Sequence, residues 1–328
     1  MLPTAETLPL SALPEARVGP ACGKTGESSH VHQYRINVFR SMYRYKHAYL
    51  FLLPLLALLG IFSYYPIVMA LKMSFYQWKG GNEAIFIGLD NFVALFKDQT
   101  FYASLKNASW FILFDCTVGV LMPLFIAELL FHLKSARAQY VFRTLFVATI
   151  TVPTVIVILV WVFLYNPVVG GMNSLVSLFG ISPQLWLGGT NTALFSIIFS
   201  GFPFINPIYL LIVFAALQAI PKSLIEASVM EGCGTWRRIR SIDIPMIAGQ
   251  LKLIFILGIL HGMQSFYKQL IMTNGGPGEE TLVPGLYMYQ SGFTYNDFGY
   301  ASTIGFVMLI LMLALTFVSN KLIKSGNE

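Results

Sequence analysis

Long apolar runs separated by short polar and basic segments dominate this chain. Six runs, at about 48–71, 107–131, 145–165, 192–218, 247–270 and 301–320, each approach the ~20 residues that a helix needs to cross ~30 Å of hydrocarbon. Runs of this length predict helices and exclude a β-barrel, whose strands show ~10-residue alternation. The expected architecture is an all-α integral membrane protein with six transmembrane helices. Residues 1–47 lack the apolar stretch of a signal peptide and read as a mobile tail with little to bury. Residues 321–328 form a second, short tail.

Composition rules out a soluble protein. Of 328 residues, 56% are apolar and only 11% charged, against roughly 45–50% and ~25% in soluble domains. The net charge of +6 is distributed asymmetrically. Sixteen of the 21 Lys and Arg fall in the N-terminal tail, the second–third connection, the fourth–fifth connection and the C-terminus. Only Lys72, Lys79, Lys97, Lys106 and Lys268 fall on the other side. By the positive-inside rule both termini are cytoplasmic.

Two features carry no chemistry. Cys22, Cys116 and Cys233 are scattered without metal or disulfide spacing. Gly19-Pro20-Ala21-Cys22-Gly23-Lys24-Thr25 has three residues between its glycines, whereas a phosphate-cradling loop needs four, after a strand and before a helix. No nucleotide site, metal site or catalytic residue is expected.

The segment 219–246 between spans four and five is the informative loop. Ser223 and Glu226 have capping-box spacing for a short helix. Gly232 and Gly234 permit a tight turn to end it. Trp236, Arg237, Arg238 and Arg240 suggest a basic second helix at the membrane face, and Pro245 leads into span five.

Glu226-Ala227-Ser228, then Glu231-Gly232, then Ile242-Asp243-Ile244-Pro245 resembles the Glu-Ala-Ala loop of binding-protein-dependent ABC importer permeases. Gly88-Leu89-Asp90-Asn91-Phe92, Ala216-Leu217-Gln218-Ala219-Ile220-Pro221 and Thr273-Asn274-Gly275-Gly276-Pro277 narrow the resemblance to carbohydrate-uptake members of the maltose-permease type. It covers about residues 48–320. The resemblance implies a type I ABC importer permease fold in a bacterial inner membrane, with Glu226, Ala227, Ser228, Glu231 and Gly232 on a coupling helix docked to an ATPase. It also implies a second homologous permease, two ATPase subunits carrying ATP and Mg, and an extracytoplasmic solute-binding protein. This chain would bind no cofactor and no nucleic acid.

Polar residues inside spans are the substrate-path candidates. Asp115 lies near mid-membrane, either as a helix–helix hydrogen-bonding group or as a cavity-lining acceptor. Glu128 is expected at the inner interface. Pro203, Asn206 and Pro207 predict an interrupted span four of the kind that places binding sites in transporters, with a packed kink as the alternative. His261, Ser265 and Lys268 fall at i, i+4 and i+7, beside the Gly258/Gly262 pair expected to pack helices. Given the resemblance, His261, Gly262 and Ser265 are the expected path residues.

Lys268 near the outer mouth either snorkels to the interface or attracts an anion. The second case points to an acidic oligosaccharide such as alginate or pectin fragments. An ion-coupled secondary transporter with Asp115 and His261 as a proton relay is the rival reading. A membrane enzyme is disfavoured by the scatter of the five histidines.

Overall fold

The computed structural model describes residues 46–81 and 83–322. The Gly19–Thr25 segment and nearly all of both tails, 1–47 and 321–328, lie outside the described residues. Among the described residues, three helices are long and apolar enough to cross a membrane: α1 (Leu50–Met73), α2 (Gln99–Phe131) and a last helix, Phe298–Leu322. By length and composition alone, three sharply bent pairs among these residues bring the number of spans to as many as six: Ala136–Thr151 with Thr154–Leu164, Pro207–Gln218 with Lys222–Met230, and Thr235–Met246 with Ala248–Met272. The second and third pairs take in the helices of the fourth–fifth loop. Phe51 is 86% exposed and Phe317 71% exposed. Side chains of this kind require lipid around them, since contiguous apolar surface of such extent is not tolerated by water.

Local chemistry fixes where these helices begin and break. Asp98 caps α2, its Oδ1 accepting from the Thr100 amide at 2.9 Å. With 33 residues, α2 is ~50 Å long and projects beyond the hydrocarbon. Ser135 caps α3 (Ala136–Ala148) through an Oγ–Ala138 amide bond of 3.3 Å. Span three, expected as one run over 145–165, instead turns by 87° between α3 and α4 (Thr154–Leu164) at Val152 and Pro153. Proline has no amide hydrogen to continue the ladder, and it disfavours a helical conformation at Val152 before it.

Span four is interrupted as the prolines predict. It comprises α5 (Ala193–Phe199), a non-helical link and α6 (Pro207–Gln218). The fourth–fifth loop opens with α7 (Lys222–Met230). Span five is α8 (Ala248–Gln264) followed by the short α9 (Tyr267–Met272). After α10 (Pro284–Tyr289), α11 (Phe298–Leu322) completes the described chain. The described strands, β1 (Tyr76–Trp78) and β2 (Ala84–Phe86), form an antiparallel hairpin with Tyr76 opposite Phe86.

Two apolar clusters lock α2 in place. Leu95, Phe101, Ala108, Met263, Leu286 and Ile304 are buried together towards its N-terminal half. Ala127, Leu130, Leu210, Phe214, Ile247 and Ile254 are buried together towards its C-terminal half. α2 therefore serves as the central post, with α6 and α8 packed along it.

Candidate substrate cavity and coupling loop

The breaks in spans four and five leave a cavity of about 210 Å³ against the middle of α2. Asp115, Asn206, His261, Gly262, Ser265 and Lys268 all contribute to its wall, with Phe114, Phe204 and Tyr209. The structure thus gathers every sequence-derived path candidate into one cavity.

Each member is positioned by local geometry. Asn206 caps α6, its Oδ1 accepting from the amides of Ile208 at 3.0 Å and Tyr209 at 3.3 Å. The Phe204 backbone sits at φ +62°, a region that non-glycine residues seldom occupy outside functional or tightly constrained sites. His261, Ser265 and Lys268 do not form the expected continuous stripe. Ser265 is extended, with φ −71° and ψ 125°, and ends α8. Lys268 then begins anew on α9 and turns into the same cavity.

Asp115 combines its two sequence readings. Its Oδ2 lies 2.9 Å from His261 Nδ1, bridging α2 and α8, while its side chain also lines the cavity. Close approach of these helices depends on glycine. A Cβ at Gly262 would sit 2.9 Å from the Ile112 Cα and N, and one at Gly258 would sit 3.2 Å from the Asp115 carbonyl oxygen. Lys268 is half-buried beside Gly201, and no carboxylate lies within 4 Å of its ammonium among the described residues. The cavity therefore holds an acid hydrogen-bonded to His261 and a cation that no carboxylate touches.

On the loop, α7 starts at Lys222 behind Pro221 and makes no side-chain cap bond. Ser223 is within the first turn, so the expected capping box is not formed; Pro221 already occupies the capping position. The C-terminus follows the sequence reading more closely. Gly232 has φ +71°, its amide donates to the Val229 carbonyl at 3.0 Å, and the Cys233 amide donates to the Ser228 carbonyl at 2.9 Å. This pair of bonds is the Schellman arrangement. Gly234, at φ −67°, adopts no left-handed turn. The basic second helix is short, Thr235–Arg238, and continues into a wide turn.

Glu226, Ala227, Glu231 and Gly232 are exposed, whereas Ser228 is buried and bonds back to the Ile225 carbonyl at 2.6 Å. Met230 is 88% exposed and Trp236 78% exposed. Sequence reasoning passed over Met230; its signal is an apolar residue at the end of a polar helix with no core to join. Glu128, expected at the interface, is buried to 6% exposure beside Asp243.

Comparison with known proteins accounts for this combination of broken spans and exposed loop helix. Residues 119–325 match the family described as binding-protein-dependent transport system inner membrane component. The chain belongs to that family and is a permease subunit of an ABC importer. It is 33% identical over 284 residues to the probable ABC transporter permease protein YurN of Bacillus subtilis (strain 168), covering 85% of this chain and 97% of that protein. It is 30% identical over 283 residues to the arabinooligosaccharides transport system permease protein AraP of the same organism, covering 84% and 87%.

Among solved structures, it superposes on a chain of a bacterial alginate ABC transporter in complex with an alginate pentasaccharide-bound periplasmic protein. The TM-score is 0.74 at 22% identity, over 87% of this chain and 96% of that one. The shared fold is the type I ABC importer permease fold. A secondary transporter built on an Asp115–His261 relay is not the reading these likenesses favour.

Proposed function

We propose that this chain is the six-span permease of a bacterial inner-membrane importer for oligosaccharides, with both termini cytoplasmic and acidic chains of the uronate type as cargo. Residues 48–320 form the permease domain, 219–246 its coupling loop, and 1–47 and 321–328 its cytoplasmic tails. Oligosaccharide cargo is supported by the arabinooligosaccharide and alginate systems to which the chain is similar.

The observation that carries the acidic assignment is the charge pattern of the cavity. His261 engages Asp115 at 2.9 Å, while Lys268 faces the same space with no carboxylate within 4 Å of its ammonium. A fixed cation in a partly desolvated cavity attracts an anion more strongly than it would in water. The cavity's 210 Å³ is below the roughly 300–1,000 Å³ typical of complete ligand sites. It suits half a path, completed by a second permease.

In this reading Glu226, Ala227, Ser228, Glu231 and Gly232 present α7 to an ATPase subunit, and exposed Met230 supplies apolar contact. Two such ATPase subunits bind ATP and Mg, and an extracytoplasmic binding protein delivers cargo. Transport requires that nucleotide and loaded binding protein favour different conformations of one assembly.

The test is uptake into proteoliposomes of uronate and neutral oligosaccharides of equal length, with wild-type and Lys268→Ala importers. Preferred uptake of uronates, lost with Lys268→Ala, is expected. Equal uptake of neutral chains, or an unchanged preference in the variant, contradicts the acidic assignment.

A further inference from the structure

A polar cluster lies at the inner end of α2, away from the cavity. Asp243 is fully buried and Glu128 is 6% exposed. Both Glu128 carboxylate oxygens and Asp243 Oδ1 are buried without a hydrogen-bond partner. Unpaired buried carboxylates are costly, so what compensates them matters.

The compensating cation is Arg238, from the coupling loop. Its Nε donates to Asp243 Oδ2 at 3.1 Å and its Nη2 donates to His132 Nε2 at 2.6 Å. The guanidinium also lies 5.7 Å from the centre of the Phe131 ring. Since Arg238 can only donate, His132 Nε2 is the acceptor and Nδ1 carries the hydrogen. That hydrogen meets the Glu128 carbonyl at 2.8 Å, so the network has one consistent direction. The ligating atoms of Glu128, His132 and Asp243 lie within 4.8 Å of one another, close enough to hold a metal ion. Arg238 already supplies positive charge there and takes up the lone pair of His132 Nε2.

We infer that Arg238 is a positioning residue that fastens the coupling loop to α2, so that displacement of the loop is carried to the substrate cavity. Arg238 and Asp243 belong to the segment that follows α7, whereas Phe131, His132 and Glu128 end α2. Asp115 stands on the cavity wall of that same helix, ~20–25 Å away by helical rise. A fixed planar guanidinium with simultaneous hold on a carboxylate, a ring nitrogen and an aromatic face resists both sliding and rotation. A lysine, with a single point charge, cannot make all three contacts. The inference rests on the reading of α7 as the ATPase-docking helix.

The test uses the complete importer in proteoliposomes and measures the fold-stimulation of ATP hydrolysis by the binding protein. Co-purification of ATPase subunits is scored in parallel. Arg238→Gln is expected to retain the ATPase subunits and lose roughly 5- to 10-fold in stimulation, within the usual range of coupling factors. Arg238→Lys should fall between. His132→Gln, which keeps an acceptor for Arg238, should stay near wild type, and His132→Leu should lose stimulation.

If Arg238→Gln fails to assemble, the triple variant Glu128→Gln/Arg238→Gln/Asp243→Asn removes the stranded charges and must still be poorly stimulated. Wild-type stimulation in an assembled Arg238→Gln or triple variant overturns the inference. Equal stimulation of His132→Gln and His132→Leu also overturns it. Normal stimulation of Glu226→Ala with Gly232→Pro would instead defeat the docking reading itself.

Discussion

Replacing Gly262 by alanine should drive α2 and α8 apart and break the pairing at the cavity. The new Cβ would sit 2.9 Å from the Ile112 Cα and N and 3.0 Å from its Cγ1. Ordinary carbon contacts lie at ~3.5–4.0 Å, so the helices must separate by roughly 0.6–1 Å. Two of those three atoms are backbone or attached directly to it, so no rotamer change relieves the clash. The Asp115–His261 contact, now 2.9 Å, then stretches beyond ~3.5 Å and ceases to be a hydrogen bond.

Overpacking costs ~1–3 kcal/mol and the lost hydrogen bond, between solvent-accessible side chains, ~0.5–1.5 kcal/mol. These overlap, since the separation relieves the first at the expense of the second. About 1–3 kcal/mol is therefore expected in total. The internal control is Gly249→Ala in the same helix, where the Cβ meets nothing within 4 Å and alanine's better helix propensity is worth up to ~1 kcal/mol. Thermal unfolding in detergent should place Gly262→Ala several degrees below Gly249→Ala. Adding Asp115→Asn should cost less in the Gly262→Ala background than alone. Equal unfolding temperatures for the two alanine variants would refute the close-packing account.

Other expectations follow from single contacts. Asn206→Ala removes the cap on α6 and should cost ~1 kcal/mol, read as a lower unfolding temperature; Asn206→Asp should restore it. Burial works to raise the Asp98 pKa, but bonds from Tyr287 at 2.5 Å, Tyr300 at 2.6 Å and the Thr100 amide outweigh it and hold the pKa below its usual value. Asp98 thus stabilises the fold above its unfolded pKa, and this is lost as pH falls through the lower folded value. Acid unfolding profiles should be shallower for Asp98→Asn. On topology, single cysteines at 166–191 and 271–300 should label from outside, and one at Trp236 only from inside; external labelling at Trp236 would refute the orientation.

Apolar run length and the prolines made much of this fold legible. The Pro203–Pro207 cluster marks the break expected in span four, whereas Pro153 breaks a run expected to be continuous over 145–165, and Pro54 and Pro123 lie inside helices. The break at Ser265 was not legible: Gln264-Ser265-Phe266 contains neither glycine nor proline, so tertiary packing decides it. The i, i+4, i+7 reading of His261, Ser265 and Lys268 assumed a continuous helix, yet the three still converge on the cavity, with α9 packed beside α5. Gly232 announced its left-handed turn, whereas Ser223 misled because Pro221 sets the helix start two residues earlier. The Arg238–His132 contact joins positions 106 residues apart, and no local pattern encodes such a pair.

Uptake into sealed proteoliposomes with ATP supplied inside tests the central claim most directly. The probe is a labelled oligosaccharide presented with its binding protein, in vesicles holding this chain with its companion permease and ATPase subunits. Accumulation that requires both ATP and the binding protein, and that collapses with Glu226→Ala, is predicted. Accumulation by this chain alone, driven by a proton gradient and indifferent to ATP, would contradict the account.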